Sequence, residues 1–233
     1  MSTLLLRLAS PLQSWGSDSK FERRTTQREP TKSGIIGFLA AALGRSRDES
    51  LDDLVKLNVG VRIDQPGQIL KDFHTACKQD EKKIYVTTRY YLMDAVFLVG
   101  LEGDENLLRT LNEAVLSPYF PLYLGRRSCP PTGKISLGIR FTSLEQSLRN
   151  EPWQAAEWYI INQTKKKQPV YLTLVLDSKQ TSPIRRRDIP ISFSQEHRQF
   201  TYRYINDIPD AVAMGDIYAG VETKHDAFEE AGG

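Results

Sequence analysis

The chain has 233 residues, 40% of them hydrophobic, only two cysteines (Cys77 and Cys129) and a formal net charge of +2. A chain of that length buries a core without covalent staples, and two cysteines make no disulfide framework, which points to a reducing cytoplasm. Nothing approaches the ~20 apolar residues of a membrane span, so the expectation is a soluble cytoplasmic protein with no membrane partner.

The charge is unevenly placed. From Asp207 onward, seven acids (Asp207, Asp210, Asp216, Glu222, Asp226, Glu229, Glu230) stand against Lys224, leaving 30 basic and 22 acidic residues in 1–206. A basic body with an acidic tail suits a phosphate backbone, and also an acidic protein surface.

Thr3–Leu8 (TLLLRL) is a near-continuous aliphatic run, which predicts a strand buried at a sheet centre. From Ser10 to Pro30 the chain is polar, rich in Ser, Thr and Arg, and without periodicity, longer than an ordinary connection. A helix follows, with Thr31 or Ser33 as its cap, Ile35, Ile36, Phe38, Leu39, Ala42 and Leu43 as its apolar part, and Gly44 as its stop. Gly34 and Gly37 lie inside it at a cost of roughly 1 kcal/mol each, which implies either close packing or backbone approach to a ligand. Ser50 caps a short helix, Leu51–Leu57. Val59–Asp64 and Gln68–Thr75, joined by Gln65-Pro66-Gly67, read as a hairpin, and Ala76–Lys83 as a loop tip. Strand material over Ile84–Leu101, a helix from Asp104 to about Leu116 and a strand near Ile135–Phe141 complete a β-α-β-β-α-β order. That is an α+β, ferredoxin-like pattern shared with RNA-recognition domains, and the pattern alone assigns no function. Beyond Phe141 the signal weakens: a short helix at Leu144–Leu148, strands at Gln168–Asp177 and His197–Ile205, then extended, partly mobile chain from Asp207.

Four constellations bear on chemistry. Pro11-Leu12-Gln13-Ser14-Trp15-Gly16 leaves the first strand, and Pro30-Thr31-Lys32-Ser33-Gly34 opens the helix. A helix start with Lys32 and two hydroxyls suits a phosphate, and Trp15 offers a face to a base, unless Trp15 plugs the core and Lys32 is solvated. This is not a P-loop, because Gln27 and Thr31 stand where that motif needs glycines. The second is Tyr123-Leu124-Gly125-Arg126-Arg127-Ser128-Cys129-Pro130-Pro131, whose adjacent arginines fork onto phosphates or stack on bases, or else line a solvated turn. Third are Lys165–Lys167 and Arg185–Arg187, expected in solvated loops. Fourth are His74, His197 and His225. His74 lies near Lys71, Tyr85, Tyr90 and Tyr91, a residue set able to serve a metal-free ribonuclease, though a lone His near a strand end is usually structural. His74, Cys77 and Cys129 lack metal-ligand spacing, so no metal or other cofactor is expected.

Taken in order, PLQSWG, EPTKSGIIGFLAAALGR, DFHTA and YLGRRSCPP resemble the CasD family over about residues 3–140. The resemblance implies a ferredoxin-like core over 1–141 with a thumb inserted at about 74–90. A small C-terminal β-rich extension (142–206) and an acidic tail (207–233) would follow. It implies a non-catalytic subunit of the Cascade surveillance complex that holds the 5′ handle of the CRISPR RNA. Neighbours would be the repeated backbone subunit and the large subunit, with target DNA met through the assembled complex. The handle-contact candidates become Gln13, Ser14, Trp15, Gly16, Lys32, Ser33, Gly125, Arg126, Arg127 and Ser128, with His74, Arg89 and Tyr90 added from the thumb. A cutting relative uses a Tyr, a Lys and a Lys-His pair. The Lys-His dipeptide here is Lys224-His225 in the acidic tail, so binding is favoured over the alternative, a metal-independent endoribonuclease.

Overall fold

The computed structural model describes residues 1–16, 23–77, 84–178 and 184–214. Its first half runs β1 (Ser2–Ala9), β2 (Leu12–Gln13), β3 (Arg23–Arg24), α1 (Lys32–Ala42), α2 (Asp52–Val55), β4 (Asn58–Gln65), β5 (Gln68–Cys77) and β6 (Ile84–Met93). Then come β7 (Val96–Gly103), α3 (Glu105–Leu116), β8 (Ser136–Arg140), α4 (Leu144–Asn150), α5 (Glu157–Lys165), β9 (Val170–Ser178), β10 (Ile184–Ser192) and β11 (Gln199–Met214).

β1 is a central strand, as its aliphatic run predicts. It pairs antiparallel with β7 on one side and β8 on the other. The principal sheet has the order β10-β11-β9-β4-β7-β1-β8, antiparallel at each junction. Both faces of its centre are covered. Leu4, Leu6, Leu8, Val59, Val61, Phe97, Val99 and Leu101 face one core with Ile35, Leu39 and Leu108 from α1 and α3. Leu5, Leu98, Leu172, Leu174 and Leu176 face the other with Leu144 and Leu148 from α4 and Trp153. Each fully buried Leu contributes roughly 1.5–3 kcal/mol. Arg62, wholly buried, fastens α4 to β4: it forks onto Asp64 at 2.7 and 2.8 Å and donates to the carbonyls of Leu148, Glu151 and Pro152. A buried guanidinium is tolerable only when its donors are met in this way.

The helix starts follow their caps. Thr31 Oγ1 accepts from Gly34 N–H at 3.2 Å, and Asp104 Oδ1 accepts from Asn106 and Leu107 N–H. At Gly34 the packing reading holds, since a Cβ there would lie 2.8 Å from the Trp15 ring.

Three expectations change. Val59–Asp64 and Gln68–Thr75 do not form a hairpin, because both edges of β4 are taken by β7 and β9. Instead β5 pairs with β6 from Gln68↔Met93 to Cys77↔Ile84 in a second sheet that also holds β2 and β3. Arg185–Arg187 lie on β10, not in a loop. The extended, partly mobile chain expected from Asp207 is instead strand as far as Met214, where β11 runs against β9 with Val212 buried, and residues 215–233 lie outside the described ones. Among the described residues no helix is long and apolar enough to cross a membrane.

Candidate nucleic-acid interface

The polar stretch after β1 folds against the base of the β5–β6 hairpin. Leu12 and Gln13 pair with Met93 and Leu92, and Arg23 and Arg24 return parallel to Thr88 and Arg89. Trp15 N–H donates to Thr26 Oγ1 and Gln27 N–H to the Trp15 carbonyl, which closes the stretch on itself. The Leu124–Cys129 loop meets it there. Ser14 N–H donates to the Leu124 carbonyl at 3.1 Å, Leu124 N–H to Cys129 and Cys129 N–H to Arg126. Gly125 has φ +90°, and a Cβ there would stand 1.7 Å from the Ser14 carbonyl oxygen, so the two segments approach through a position that only glycine fills. The two sequence-distant segments singled out above are thus brought together.

Their side chains divide into support and surface. Gln13 is buried and donates to the carbonyl of Ala95 at 2.7 Å, and Ser14 Oγ donates to the Tyr90 carbonyl. Trp15 is 1% exposed, with its Nε1 on Gln13 Oε1, so it plugs the core and offers no stacking face. Gly16, Arg127 and Ser128 are exposed. Arg126 lies 4.6 Å over the Tyr91 ring and donates to the Arg24 carbonyl, while its Nη1 is buried without a hydrogen-bond partner, as is Arg89 Nε. Arg23 donates to Tyr90 Oη at 3.1 Å and lies over that ring. Burial would raise the Tyr91 phenol, but hydrogen bonds with Arg126, Ser128 and Arg89 outweigh it and hold the phenol below its ordinary value. Among the described residues no salt bridge neutralises Arg23, Arg24, Arg89, Arg126 or Arg127. Alternation along β6 divides these side chains: Arg24, Arg89 and the buried Tyr91 share the face that Arg126 covers, and Arg23 with Tyr90 lies on the other. Arg23, Arg24 and Arg127 are exposed and Arg89 and Arg126 half-buried, and guanidinium forks so placed are equipped to grip phosphates and planar bases.

Lys32 and Ser33 are not part of this surface. Lys32 is 5% exposed, and its Nζ donates to Asp177 Oδ2 and the Leu57 carbonyl, both at 2.8 Å. The helix start expected to take a phosphate takes the chain's own carboxylate, since Lys32 N–H donates to Asp188 Oδ2 at 2.9 Å. Ser33 is buried beside Thr31 Oγ1. His74 sits out on β5, half-exposed, with Nε2 2.7 Å from Asp72 Oδ2. Strand alternation puts Lys71 and its partner Tyr90 on the opposite face of the hairpin from His74, while Tyr85 and Tyr91 share its face, so no lysine of the set stands beside His74. His197 is exposed, and His225 lies outside the described residues. Among the described residues no group of three metal-ligating side chains comes together. Sequence reading missed Arg23 and Arg24, although an adjacent arginine pair in a long aperiodic loop is the same signal that flagged Arg126-Arg127.

A family model described as CRISPR-associated protein (Cas_Cas5) matches residues 3–206. The CRISPR system Cascade subunit CasD of Escherichia coli (strain K12) is 37% identical over 158 residues, covering 59% of this chain and 70% of that protein. Among solved structures, a chain of a CRISPR RNA-guided surveillance complex superposes with a TM-score of 0.76 at 33% identity, with 91% of each chain covered. A crystal structure of a Cas protein superposes with a TM-score of 0.67 at 36% identity, covering 89% of this chain and 94% of that one. The matched span includes both segments that meet at the interface and most of the seven-stranded sheet, and the chain belongs to the CRISPR-associated Cas5 protein family.

Proposed function

We propose that this chain is a non-catalytic, cytoplasmic subunit of an RNA-guided Cascade surveillance complex and holds the 5′ handle of the CRISPR RNA. The observation that carries the reading is the meeting of Gln13–Gly16 with Gly125–Ser128 beside arginines that, among the described residues, no salt bridge neutralises. Gly16, Arg23, Arg24, Arg89, Tyr90, Arg126, Arg127 and Ser128 are the contacting set. Gln13, Ser14 and Trp15 are its buried support, and Lys32 and Ser33 are withdrawn from it. The orphaned donors of Arg89 and Arg126 suit phosphate oxygens, and guanidinium and phenol faces suit splayed bases. A handle fixed in this way sets the register of the guide, and target sequence is then read by base pairing.

The strand order β4-β7-β1-β8, with helices α1 and α3 on one face, supports a ferredoxin-like reading of residues 1–141. Residues 142–206 then form the β-rich extension. The β5–β6 hairpin is the thumb, with His74 on its face, and its exposed Ile69, Leu70, Phe73 and Val86 suit a protein neighbour, the repeated backbone subunit. The large subunit and target DNA are met in the assembled complex.

The test incubates the pure chain, in EDTA, with end-labelled repeat RNA on native and denaturing gels. An intact but shifted RNA is expected, with affinity reduced at least about tenfold by Arg126→Ala with Arg127→Ala, the scale of lost charged hydrogen bonds. Cleavage at one position, removed by His74→Ala, would make the chain a processing endoribonuclease and overturn the reading.

A further inference from the structure

The outer end of the principal sheet carries a second cationic surface with its own chemistry. Among the described strands β10 is the edge, bonded to β11 alone. In that pair Arg185 stands opposite Tyr204, Arg187 opposite Tyr202, and Arg186 opposite Arg203. Alternation sends Arg186 and Arg203 to the α1 side, where Glu29, Asp177 and Asp188 receive them. Arg185, Arg187, Tyr202 and Tyr204 therefore share the opposite face. Farther into the sheet that face is covered by α4 against Leu172, Leu174 and Leu176, but here no described element covers it: both arginines are exposed and Tyr202 is 48% exposed. Arg185 lies 3.8 Å over the Tyr202 ring. Among the described residues no salt bridge joins Arg185 or Arg187 to a carboxylate, in contrast to Arg186 between them.

We propose that this Arg/Tyr ladder is a binding surface for single-stranded nucleic acid, distinct from the cluster around Arg126. Paired strands with alternating guanidinium and phenol side chains present phosphate forks and stacking faces to the same strand, a sequence-tolerant combination. The rigid sheet holds the guanidinium over Tyr202 in advance, so little side-chain freedom is lost on binding. In the complex the occupant is either an exposed stretch of the CRISPR RNA or a separated strand of the target DNA. Both offer the same backbone and bases.

The experiment measures fluorescence anisotropy of labelled oligo(dT) and oligo(U) with the full chain over a salt series. It uses wild type, Arg126→Ala/Arg127→Ala, Arg185→Ala/Arg187→Ala, all four together, and Tyr202→Ala. Because Arg185 and Arg187 are exposed, the Arg185/Arg187 variant is expected to keep the wild-type thermal midpoint. In the Arg126/Arg127 background, adding the Arg185/Arg187 changes should weaken the remaining binding about tenfold and reduce the salt slope by about 1.4, two phosphates at ~0.7 each. Tyr202→Ala should weaken binding without changing the slope. Preference for oligo(U) identifies the guide RNA as occupant, and equal or greater binding of oligo(dT) identifies the DNA strand. If the four-residue variant binds as the Arg126/Arg127 variant does, the ladder proposal fails and the handle reading stands. If Arg126→Ala/Arg127→Ala changes nothing while Arg185→Ala/Arg187→Ala removes binding, the handle reading fails and the ladder stands. Binding of a poly-glutamate peptide with no oligonucleotide bound at the ladder would also overturn the proposal.

Discussion

A Cβ at position 125 would stand 1.7 Å from the Ser14 carbonyl oxygen, a backbone atom that cannot rotate away, in a residue already at φ +90°. Gly125→Ala therefore has to part the two segments that build the interface or carry the strain. Left-handed strain and the clash together cost about 2–3 kcal/mol, which at this length lowers Tm by roughly 5–10 °C. RNA affinity should fall with it, because Arg126 hangs on the same loop. An unchanged melting curve together with unchanged repeat-RNA binding would show that the loop does not depend on this approach. Gly125 and the arginines after it were legible in the sequence because the signal is local: a glycine, two adjacent forks and a stiff Pro-Pro exit. Lys32 was misleading for the opposite reason. Its hydroxyl-rich surroundings resemble a phosphate site, while the carboxylates that claim it, Asp177 and Asp188, lie 145 and 156 residues away.

Between elements, those carboxylates form a buried clasp. Asp188 on β10 accepts from Lys32 N–H and from Arg203 Nε and Nη2, and Asp177 on β9 receives Lys32 Nζ, Arg203 and Val59 N–H. The clasp ties the start of α1 to β9, β10 and β11 at one stroke. Burial by itself would push the Asp188 carboxyl up, yet the Arg203 hydrogen bonds and charge, with help from Lys32 N–H, hold it below the usual carboxylate range. Burial would lower the Arg203 guanidinium, but Asp188 and Asp177 outweigh it and push it above its ordinary value. A carboxyl whose native pKa is depressed binds fewer protons folded than unfolded. Its stabilisation is complete above about pH 3.9 and is lost as pH falls through the lower native value. Thermal melts from pH 7 to pH 2 should therefore drop steeply at the acid end for the wild type. Asp188→Asn should already be less stable at pH 7, by about 3–5 kcal/mol as for a broken buried pair, and should show a shallower acid limb. Equal acid limbs in the two proteins would assign the acid sensitivity elsewhere. The clasp also explains why β10 was unreadable: its inward positions are Arg186 and Asp188, not aliphatic residues, so no hydrophobic alternation marks the strand. α5 escaped notice because none of its side chains is fully buried.

At the scale of the molecule, strands far apart in sequence share one sheet with a core on each face. The first half of the order was readable from local signals: the aliphatic β1, the caps at Thr31 and Asp104, and the apolar run of β7. The join was not. Gly60–Ile63 pairs with Thr173–Leu176, and nothing near either segment announces the other. The local Pro66-Gly67 turn instead suggested a hairpin with β5. Because β9 bonds directly to β4, the C-terminal strands extend the sheet, and the two cores are separated only by its thickness. Such an arrangement has no hinge across which one half could melt alone. The chain carries a reporter in each core, Trp15 on the α1 side and Trp153 on the α4 side, whereas Trp158 is 53% exposed. Two single-tryptophan proteins, one with Trp153→Phe and Trp158→Phe, the other with Trp15→Phe and Trp158→Phe, can be unfolded in urea. In each protein the fluorescence midpoint should coincide with the far-ultraviolet circular dichroism midpoint of that same protein. Coincidence in both would mean that the two cores dissolve together, so that the surface around Arg126 and the ladder on β10–β11 are held by one cooperative unit. A Trp153 signal that fades at lower urea than the circular dichroism would mean that α4 and the C-terminal strands come away first. The β4 edge would then be exposed while the Arg126 interface remained intact.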